Sequence, residues 1–581
     1  MGLLSKRMFA MLMFMGLAIF SGVAKGNNVY ISQNGGTFTG GSACNGQTTE
    51  TPAYFNTAGN WTSGTPTGTQ IGPGTTVHLC GIFTGTAGST ILTFQGSGAA
   101  GSPITLRFES GAQLTAPYWN NINNYSGAVV VHNVNYVVID GGTNQVGGTP
   151  LITATANGTG LANQQPSCAI FINGGNNVTV QNMTISPMYV HLMTPNDTNG
   201  DPSNGIYYAG PGPNITFSNN YVSDASSCLT ADQAVSTMTN VIISGNTTRN
   251  CRWHIRTDGD NGNGAVNGVY VYGNDMSGWE NWATTGGTFH LDGAWFAATT
   301  SSSSFTNGYF YNNYVHGYMD GCVGTAFLYV AGNVSNSYIF NNVWEYDVGT
   351  PLSGCGSPVI GPGGGLITFG SDSPTPGSPD NVYVYNNTFY CTSDCVTQGF
   401  GSTIPNTVFY NNIAFMPNAN GTTGNSLIFA SSYGSFESGG NIQVNADHNN
   451  WYYPAAFNQT GTQYSQGSPF YYQNFVQWQG NTRSGSTYDR NSNASNTGMA
   501  IDLNSSSPMT AFTVTSGSPA VGLGVNFYST CHGQPNPGLG ALCEDSAGSS
   551  RPPTGGWDAG AYNYVTTNQP APPTNLTAVS H

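Results

Sequence analysis

A short pattern of alternating apolar and polar positions recurs seven times in the middle of this chain and ends each time in Asn. Three places before that Asn the residue is always apolar, which is typical of a β-strand with one buried face. The seven copies occupy positions 215–220, 241–246, 269–274, 308–313, 337–342, 382–387 and 407–412. Their terminal Asn residues are 26, 28, 39, 29, 45 and 25 positions apart, so each copy fits one coil of a solenoid, with loops inserted in the longer coils.

The repeats predict the fold class, an all-β right-handed parallel β-helix (solenoid) with loop insertions. Because side chains alternate across a strand, the apolar position three before each Asn should point inward and build a stacked core. Those residues are Phe217, Ile243, Val271, Phe310, Ile339, Val384 and Phe409. The terminal asparagines should stack on one another, with their amides forming a hydrogen-bonded ladder along the axis.

The chain divides into five segments. Residues 1–24 have the form of a secretory signal peptide, with Lys6 and Arg7 ahead of an apolar stretch at 8–20 and small residues at 21–24. We expect an N-terminal cap and first coils at 25–150, the β-helix core at 151–455, C-terminal coils and a cap at 456–565, and a Pro-rich disordered tail at 566–581. The mature protein should therefore be secreted or held at the cell surface.

Charge is scarce in this chain. Only 6% of residues are charged, against roughly a quarter in an average domain. Without the two basic residues of the signal segment, 25 acidic residues face 8 basic ones, a net charge of −17. Such a surface disfavours nucleic acid and anionic membranes as partners. No further segment is long and apolar enough to insert in a membrane, and we expect a monomer.

Eleven cysteines in an exported chain indicate disulfides rather than metal clusters. Cys391/Cys395, Cys531/Cys543 and Cys228/Cys251 are near enough in sequence to close loops, but the sequence does not fix the connectivity. The odd count leaves at least one thiol unpaired or paired between chains.

Further strand-like segments lie at 76–80, 104–108, 136–142 and 177–182, and a tail pair stands at 518–520 and 558–562. Together these pieces resemble the secreted right-handed parallel β-helix family that includes the pectate lyases, over residues 28 to 565. The tail pair, Ser-Pro-Ala and Asp-Ala-Gly-Ala-Tyr, is similar to the closing signature of such proteins. The resemblance implies the fold, but this fold carries many functions.

Two aromatic columns are predicted on the outside of the repeated strands, at the positions four and two before each Asn. They contain Tyr270, Tyr309, Tyr338 and Tyr383, and Tyr272, Tyr311, Phe340, Tyr385 and Tyr410. Rungs of a parallel sheet are about 4.8 Å apart, so these rings could offer a platform for flat sugar faces. Alternatively the rings stack on each other or lie under an inserted loop, and only stabilise the sheet.

Titratable residues concentrate between positions 191 and 320. In 251–260, Arg252, His254 and Arg256 alternate on one face of an extended strand and are followed by Asp258 and Asp260, while His290 and Asp292 alternate in 288–293. A lyase acting on a uronic acid needs a base and a cation, roles that suit the arginines and histidines. A glycoside hydrolase needs two carboxylates, for which the aspartates are candidates. Ion pairing that only holds the loops is the structural alternative.

Two known solenoid active sites are absent from the sequence. The mature chain holds at most one lysine, Lys25, so the Lys/Arg pair of some β-helix alginate lyases is missing. An adjacent Asp-Asp pair and a Gly-His-Gly segment, as in polygalacturonases, are missing too.

Calcium is the one cofactor for which ligands are suggested. Asp197, Asn199 and Asp201 supply oxygen ligands at alternate positions, although Pro202 and Tyr208 exclude an EF-hand loop. Short Asp/Asn/Gly runs are more often plain turns.

Two functional interpretations follow from these features. The first is a secreted carbohydrate-active protein that cleaves a polysaccharide, as a lyase or a glycosidase. The second is a non-catalytic glycan-binding or adhesin solenoid at the cell surface or in a matrix. In both the expected partner is a polysaccharide.

Overall fold

The computed structural model describes most of the chain from Asn27 to Tyr564. The described residues are 27–40, 43–192, 202–232, 237–258, 264–279, 282, 291–317, 324–346, 365–370, 379–391, 397–399, 406–416, 429–431, 444–452, 475, 479–480, 488–495, 498–501 and 511–564.

As predicted, the chain winds into a right-handed parallel β-helix. Its strands form three faces. Face A is a thirteen-stranded parallel sheet to which each coil contributes one strand. Its strands are Asn28–Ser32, Thr76–Cys80, Ile104–Phe108, Val137–Asp140, Val178–Gln181, Gly212–Ser218, Thr237–Ser244, Ala265–Tyr272, Ser304–Tyr311, Val334–Phe340, Asp380–Tyr385, Thr407–Tyr410 and Val444–Asp447. The strand portions of all seven copies of the sequence pattern lie on this face.

Faces B and C are the two parts of a twenty-one-stranded sheet. Two strands, Tyr221–Asp232 and Thr247–Asp258, run through both faces and so join them. Face B also contains Ile82–Thr84, Gln113–Ala116, Ile152–Ala154, Thr184–Ile185, Asp275–Ser277, Tyr314–Gly317, Val343–Tyr346, Thr388–Cys391, Ile413–Phe415 and Asn450–Tyr452. Face C also contains Leu92–Thr93, Val129–His132, Cys168–Asn173, Asn204–Ala209, Leu291–Ala298, Gly324–Gly332, Gly365–Gly370, Thr397–Gly399 and Phe429–Ser431.

Short elements surround the coils. Antiparallel pairs form between Gly36–Thr37 and Thr48–Thr49 and between Met499–Ile501 and Phe512–Val514. Short helical segments are Pro52–Phe55, Ala58–Asn60, Ile122–Asn124, Tyr528–Cys531 and Leu539–Cys543. None of the helices in the described part of the chain is long and apolar enough to cross a membrane.

The predicted core stack and the predicted Asn ladder are both confirmed. All seven inward residues are at most 1% exposed. The ladder residues are Asn220, Asn246, Asn274, Asn313, Asn342, Asn387, Asn412 and Asn449, and each Nδ2 donates to the next Oδ1 over 2.9 to 3.1 Å. Each amide also donates to a backbone carbonyl, as Asn313 does to Val271 at 2.9 Å. The ladder thus satisfies the backbone at the turn from face A to face B.

A second asparagine column lies one position before the ladder. Its members adopt the left-handed conformation that Asn tolerates better than most residues, with φ of 56° at Asn341, 50° at Asn386 and 61° at Asn411. This conformation turns the chain and leaves these side chains on the outer surface beside face A, where they bind another segment, described below.

Three disulfides join described residues: Cys44–Cys80, Cys228–Cys251 and Cys531–Cys543. Two of the suggested pairs are therefore confirmed. Cys391 is also disulfide-bonded, while Cys395 lies outside the described residues. Cys168 is a buried free thiol, as the odd count of cysteines requires of at least one. The disulfides suit an oxidising compartment.

Candidate functional site

The outer side of face C carries the main charged cluster. The strands Tyr221–Asp232 and Thr247–Asp258 pair in parallel, so that Asp232 lies beside Asp258 and Thr230 beside Arg256. Leu229 and Ile255, the residues before this second pair, belong to the core. Alternation therefore places the side chains of these two rungs outside the sheet.

Hydrogen bonds tie this cluster together. Arg256 donates from Nε to Oδ2 of Asp258, and Tyr207 donates from its hydroxyl to Oδ2 of Asp232 over 2.8 Å. Asp258 is fully buried and Asp232 nearly so, whereas the side chain of Arg256 is 15% exposed and Tyr207 is half-buried. The two aspartates thus lie behind a guanidinium and a phenol that reach toward solvent.

Electrostatics fix the charge of these two partners. Burial, together with the negative charge of Asp232, raises the pKa of Tyr207 far above its ordinary value, so the phenol stays protonated. Burial acts to lower the pKa of Arg256, but the attraction of Asp258 and Asp232 outweighs it and raises that pKa. Arg256 is therefore a permanent cation between two carboxylates.

Two tryptophans flank the cluster. The guanidinium of Arg256 lies 4.9 Å from the ring centroid of Trp253 and 5.8 Å from that of Trp295. Arg252 lies 3.9 Å from the Trp253 ring, and Trp253 Nε1 donates to Asp292 over 3.0 Å. The structure therefore gathers Arg252, Arg256, Asp258 and Asp292, which the sequence had singled out, around Trp253.

His254 has a different position from the predicted one. It does not share a face with Arg252 and Arg256, because its strand turns the corner from face B to face C and strict alternation fails there. The ring is fully buried, 4.3 Å from Trp279, and its Nδ1 lies 2.7 Å from Oγ1 of Thr248. Burial, with the nearby Arg249, holds the pKa of His254 well below its ordinary value, so this histidine is neutral in the solenoid interior.

Several residues of this cluster had no catalytic role in the sequence interpretation. They are Tyr207, Asp232, Trp253 and Trp295. For Asp232 a signal existed, because Asp232 and Asp258 are 26 positions apart, the same spacing as the ladder residues Asn220 and Asn246. Asp260 and His290, by contrast, lie outside the described residues.

The aromatic columns on face A form, but their rings stack on each other. Ring centroids are 5.1, 5.5 and 4.7 Å apart along Tyr270, Tyr309, Tyr338 and Tyr383, with interplanar angles of 3°, 6° and 19°. The ring faces are thus taken by neighbouring tyrosines. These four tyrosines remain half-buried, so their edges and hydroxyls are what this column offers to a ligand.

The second column lies beneath residues 524–564, which we call the C-terminal strap. Phe340 is fully buried, Tyr311 is 2% and Tyr385 is 7% exposed, and they pack with Leu542 and Trp557 of the strap. Tyr272 and Tyr410 lie at the margin of the same apolar cluster. In this column the aromatic residues are covered and stabilise the sheet, as in the second of the two predicted arrangements. The segment that covers them is the strap and not an inserted loop.

The strap is held by the second asparagine column. Asn411 donates to Val525 O over 2.9 Å, Asn386 to Asp558 O over 3.0 Å and Asn341 to Glu544 O over 2.7 Å. Gly538 of the strap lies against Tyr270 and Tyr309. The strap therefore runs back along face A from the coil of Asn411 to the coil of Tyr270.

A further polar group lies outside face B. Asp275 accepts from Arg249 Nη2 over 2.7 Å and lies 2.7 Å from His316 Nε2. The His316 ring stacks on Tyr314 at 3.9 Å, and Tyr314 donates to Glu345. Burial raises the pKa of Asp275, but the hydrogen bonds from His316 and Arg249 outweigh it and bring that pKa to about 2.

The suggested calcium ligands Asp197, Asn199 and Asp201 lie outside the described residues. Within the described ranges, no group of three or more His, Cys, Asp or Glu residues is placed to hold a metal ion.

The protein is thus a three-faced parallel β-helix in which two aspartates lie on the outer side of face C, beneath the side chains of Arg256 and Tyr207. No protein-family model matches the chain, and no curated protein matches it. Similar solved structures include an alginate lyase from Paenibacillus sp. str. FPU-7, at 13% identity, 61% of this chain, 91% of that chain and a TM-score of 0.31. Pectate lyase Pel9A is 15% identical, with 93% of this chain and 97% of that chain covered and a TM-score of 0.33. XylC in complex with xylose is 9% identical, with 93% of this chain and 98% of that chain covered and a TM-score of 0.37.

Proposed function

We propose that this protein is a secreted carbohydrate-active enzyme that hydrolyses glycosidic bonds of a polysaccharide at Asp232 and Asp258. The observation that carries the proposal is the register of these two carboxylates on adjacent coils, beside the cation Arg256. Glycoside hydrolysis requires such a pair, in which one carboxyl group gives a proton to the leaving oxygen and the other acts as a nucleophile or base.

The partners of the two aspartates suggest which role each takes. Asp258 accepts a hydrogen bond from the guanidinium of Arg256, so we assign it the part of nucleophile or base. Asp232 accepts from the neutral hydroxyl of Tyr207, and we assign it the part of proton donor.

The neighbouring rings and charges favour a neutral glycan over a uronate. Trp253 is half-buried beside the aspartates, and its ring is an aromatic side chain of the kind that packs against sugar rings. A lyase needs a base beside the uronate carboxylate, but of the described residues at this cluster Tyr207 has a raised pKa and His254 lies in the interior. Asp232, Asp258 and Asp292 outnumber the arginines Arg252 and Arg256 in this cluster, so it would also repel a uronate.

Incubation of the purified mature chain with soluble xylan, β-glucan, polygalacturonate and alginate, with calcium or with a chelator, tests this proposal. Release of reducing ends and ultraviolet absorbance of unsaturated sugar ends are followed together. We expect reducing ends alone from a neutral polymer, and at least a hundredfold loss of rate in Asp232→Asn and Asp258→Asn. Asp380→Asn, on the margin of face A, is the matched control and should keep the rate.

Other outcomes would change the proposal. A rise in absorbance would support a lyase instead. Full activity in both aspartate variants would remove the pair from catalysis. Loss of activity without calcium would give weight to the ligands suggested at Asp197, Asn199 and Asp201.

A second candidate function is glycan binding without cleavage. It is favoured by the half-buried column of Tyr270, Tyr309, Tyr338 and Tyr383, whose hydroxyls follow one another along the axis. If no polymer is cleaved, affinity electrophoresis in the same polymers tests this function. Tyr309→Phe and Tyr338→Phe remove hydroxyls but keep the stack. If the column binds glycan, the polymer in the gel should retard these variants less than it retards the wild type.

A further inference from the structure

Two polar side chains lie on either side of Arg256 in the same outer column of face C. Thr230 pairs with Arg256 on one side, and Trp295 pairs with Arg256 on the other. Thr230 is fully buried and Trp295 is 7% exposed. Both therefore hold polar atoms away from bulk solvent, next to the proposed catalytic pair.

These polar atoms have no protein partner in the described part of the chain. No described residue makes a hydrogen bond with Thr230 Oγ1 or with Trp295 Nε1. Leaving a buried donor or acceptor unsatisfied is costly, and such groups in native proteins call for an explanation. Both atoms flank the site already described, so a bound ligand that supplies the missing hydrogen-bond partners would explain them.

We infer that Thr230 and Trp295 determine substrate specificity by binding hydroxyl groups of a neutral sugar chain. This inference rests on the proposed function and names the substrate class of the same site. An indole N–H can only donate, a threonine hydroxyl can donate and accept, and an ionised carboxylate such as the proposed base Asp258 can only accept. Sugar hydroxyls act as donor and acceptor at once, so they match this mixture. A uronate carboxylate would satisfy the indole but would meet the negative charge of Asp258 and Asp232.

Valine has nearly the shape of threonine and lacks the hydroxyl, so Thr230→Val tests the inference. Because the variant loses an unsatisfied buried polar group, we expect its urea midpoint without ligand to equal or exceed that of wild type. Its KM for the hydrolysed polymer should rise about tenfold, with a smaller change in kcat. Thr230→Ser keeps the hydroxyl and should restore most of the affinity. Trp295→Phe removes the N–H and should weaken affinity in the same direction.

The readouts separate this inference from the proposed function. If no polymer is hydrolysed, calorimetric titration with neutral xylo- and gluco-oligosaccharides, and with oligogalacturonate for comparison, measures binding directly. Tighter binding of a neutral oligosaccharide that Thr230→Val weakens would support the inference even without catalysis. Affinity within twofold of wild type in both variants would overturn it. So would a loss of affinity accompanied by a lower urea midpoint in Thr230→Val, because that would indicate a structural role.

Discussion

Arg551 of the C-terminal strap donates to the amide oxygen of Asn341 over 2.9 Å, although 210 positions separate them in the chain. Arg551 is 1% exposed, lies 5.3 Å from the Trp557 ring and also donates to Asn563 and to the carbonyl of Gly560. Burial lowers its pKa to about 10, against the attraction of Asp545 and Asp558. A buried cation thus fastens the strap to the solenoid.

Replacing Arg551 by Met should loosen the strap. The variant leaves the acceptors of Asn341, Asn563 and Gly560 without this donor, at a cost of about 2 kcal/mol that the removal of a buried charge partly offsets. We expect faster limited proteolysis within residues 524–564 and greater binding of an apolar dye to the uncovered column of Tyr311, Phe340 and Tyr385. Arg107→Met is the control, since Arg107 is 36% exposed. An unchanged proteolysis rate would contradict the fastening role.

The position of the strap could not be predicted from the sequence, whereas the coils could. The coils were predictable because each repeats the same local pattern, so inward residues such as Phe310 and ladder residues such as Asn313 could be read from one register. The strap has no repeat, and its contacts with Asn341 and Asn386 join distant parts of the chain. Nothing local in the sequence says that it covers Phe340.

The candidate site was predictable in part for the same reason. Arg256 and Asp258 stood out in a chain poor in charge, and they do lie together. Strict alternation predicts His254 beside them, but alternation fails where the strand Thr247–Asp258 turns from one face to the next. Asp232 would have been found by applying the coil spacing of 26 positions to the charged residues.

The Asn ladder should contribute strongly to stability. In Asn313→Ala, the amide of Asn274 loses its acceptor, while Asn342 Oδ1 and Val271 O lose a donor, all of them buried. Since each unsatisfied buried group costs about 1–3 kcal/mol, we expect a loss of several kcal/mol, measured by urea denaturation. The control is Asn336→Gly, an exposed left-handed position with a φ of 52° that glycine adopts readily. Equal effects of the two substitutions would argue against the ladder.

The Cys228–Cys251 disulfide should hold the aspartate pair in register. It joins the two strands that carry Asp232 and Asp258, over a sequence separation of 23. Closing a loop of this length stabilises a protein by about 3 kcal/mol in the chain-entropy model. We expect Cys228→Ser/Cys251→Ser to lose about that much stability and to lower hydrolytic activity.

The disulfide of the strap provides the control for that experiment. Cys531–Cys543 lies on face A, away from the aspartates, so the double serine variant should loosen the strap and leave the activity of the folded protein near that of wild type. If both double variants lose activity equally, the first disulfide has no particular role in holding the register.

The ion pair of Asp275 outside face B should make stability depend on pH in the acid range. Its pKa is about 2 in the folded protein, below the ordinary 3.8, because the hydrogen bonds from His316 and Arg249 outweigh burial. A carboxyl group with a lowered folded-state pKa stabilises the fold above its ordinary pKa, and this contribution is lost as the pH falls toward the folded value. The difference in urea midpoint between wild type and Asp275→Asn should therefore be constant above about pH 4 and shrink between about pH 4 and pH 2. The side chain is 39% exposed, so solvent screens the pair and the difference should be modest.

In an Arg249→Met background the same Asp275→Asn substitution should have a smaller effect, because one of the two partners is already absent. A difference that stays constant down to about pH 2, or is equal in both backgrounds, would show that the contacts with Arg249 and His316 do not stabilise the ionised form.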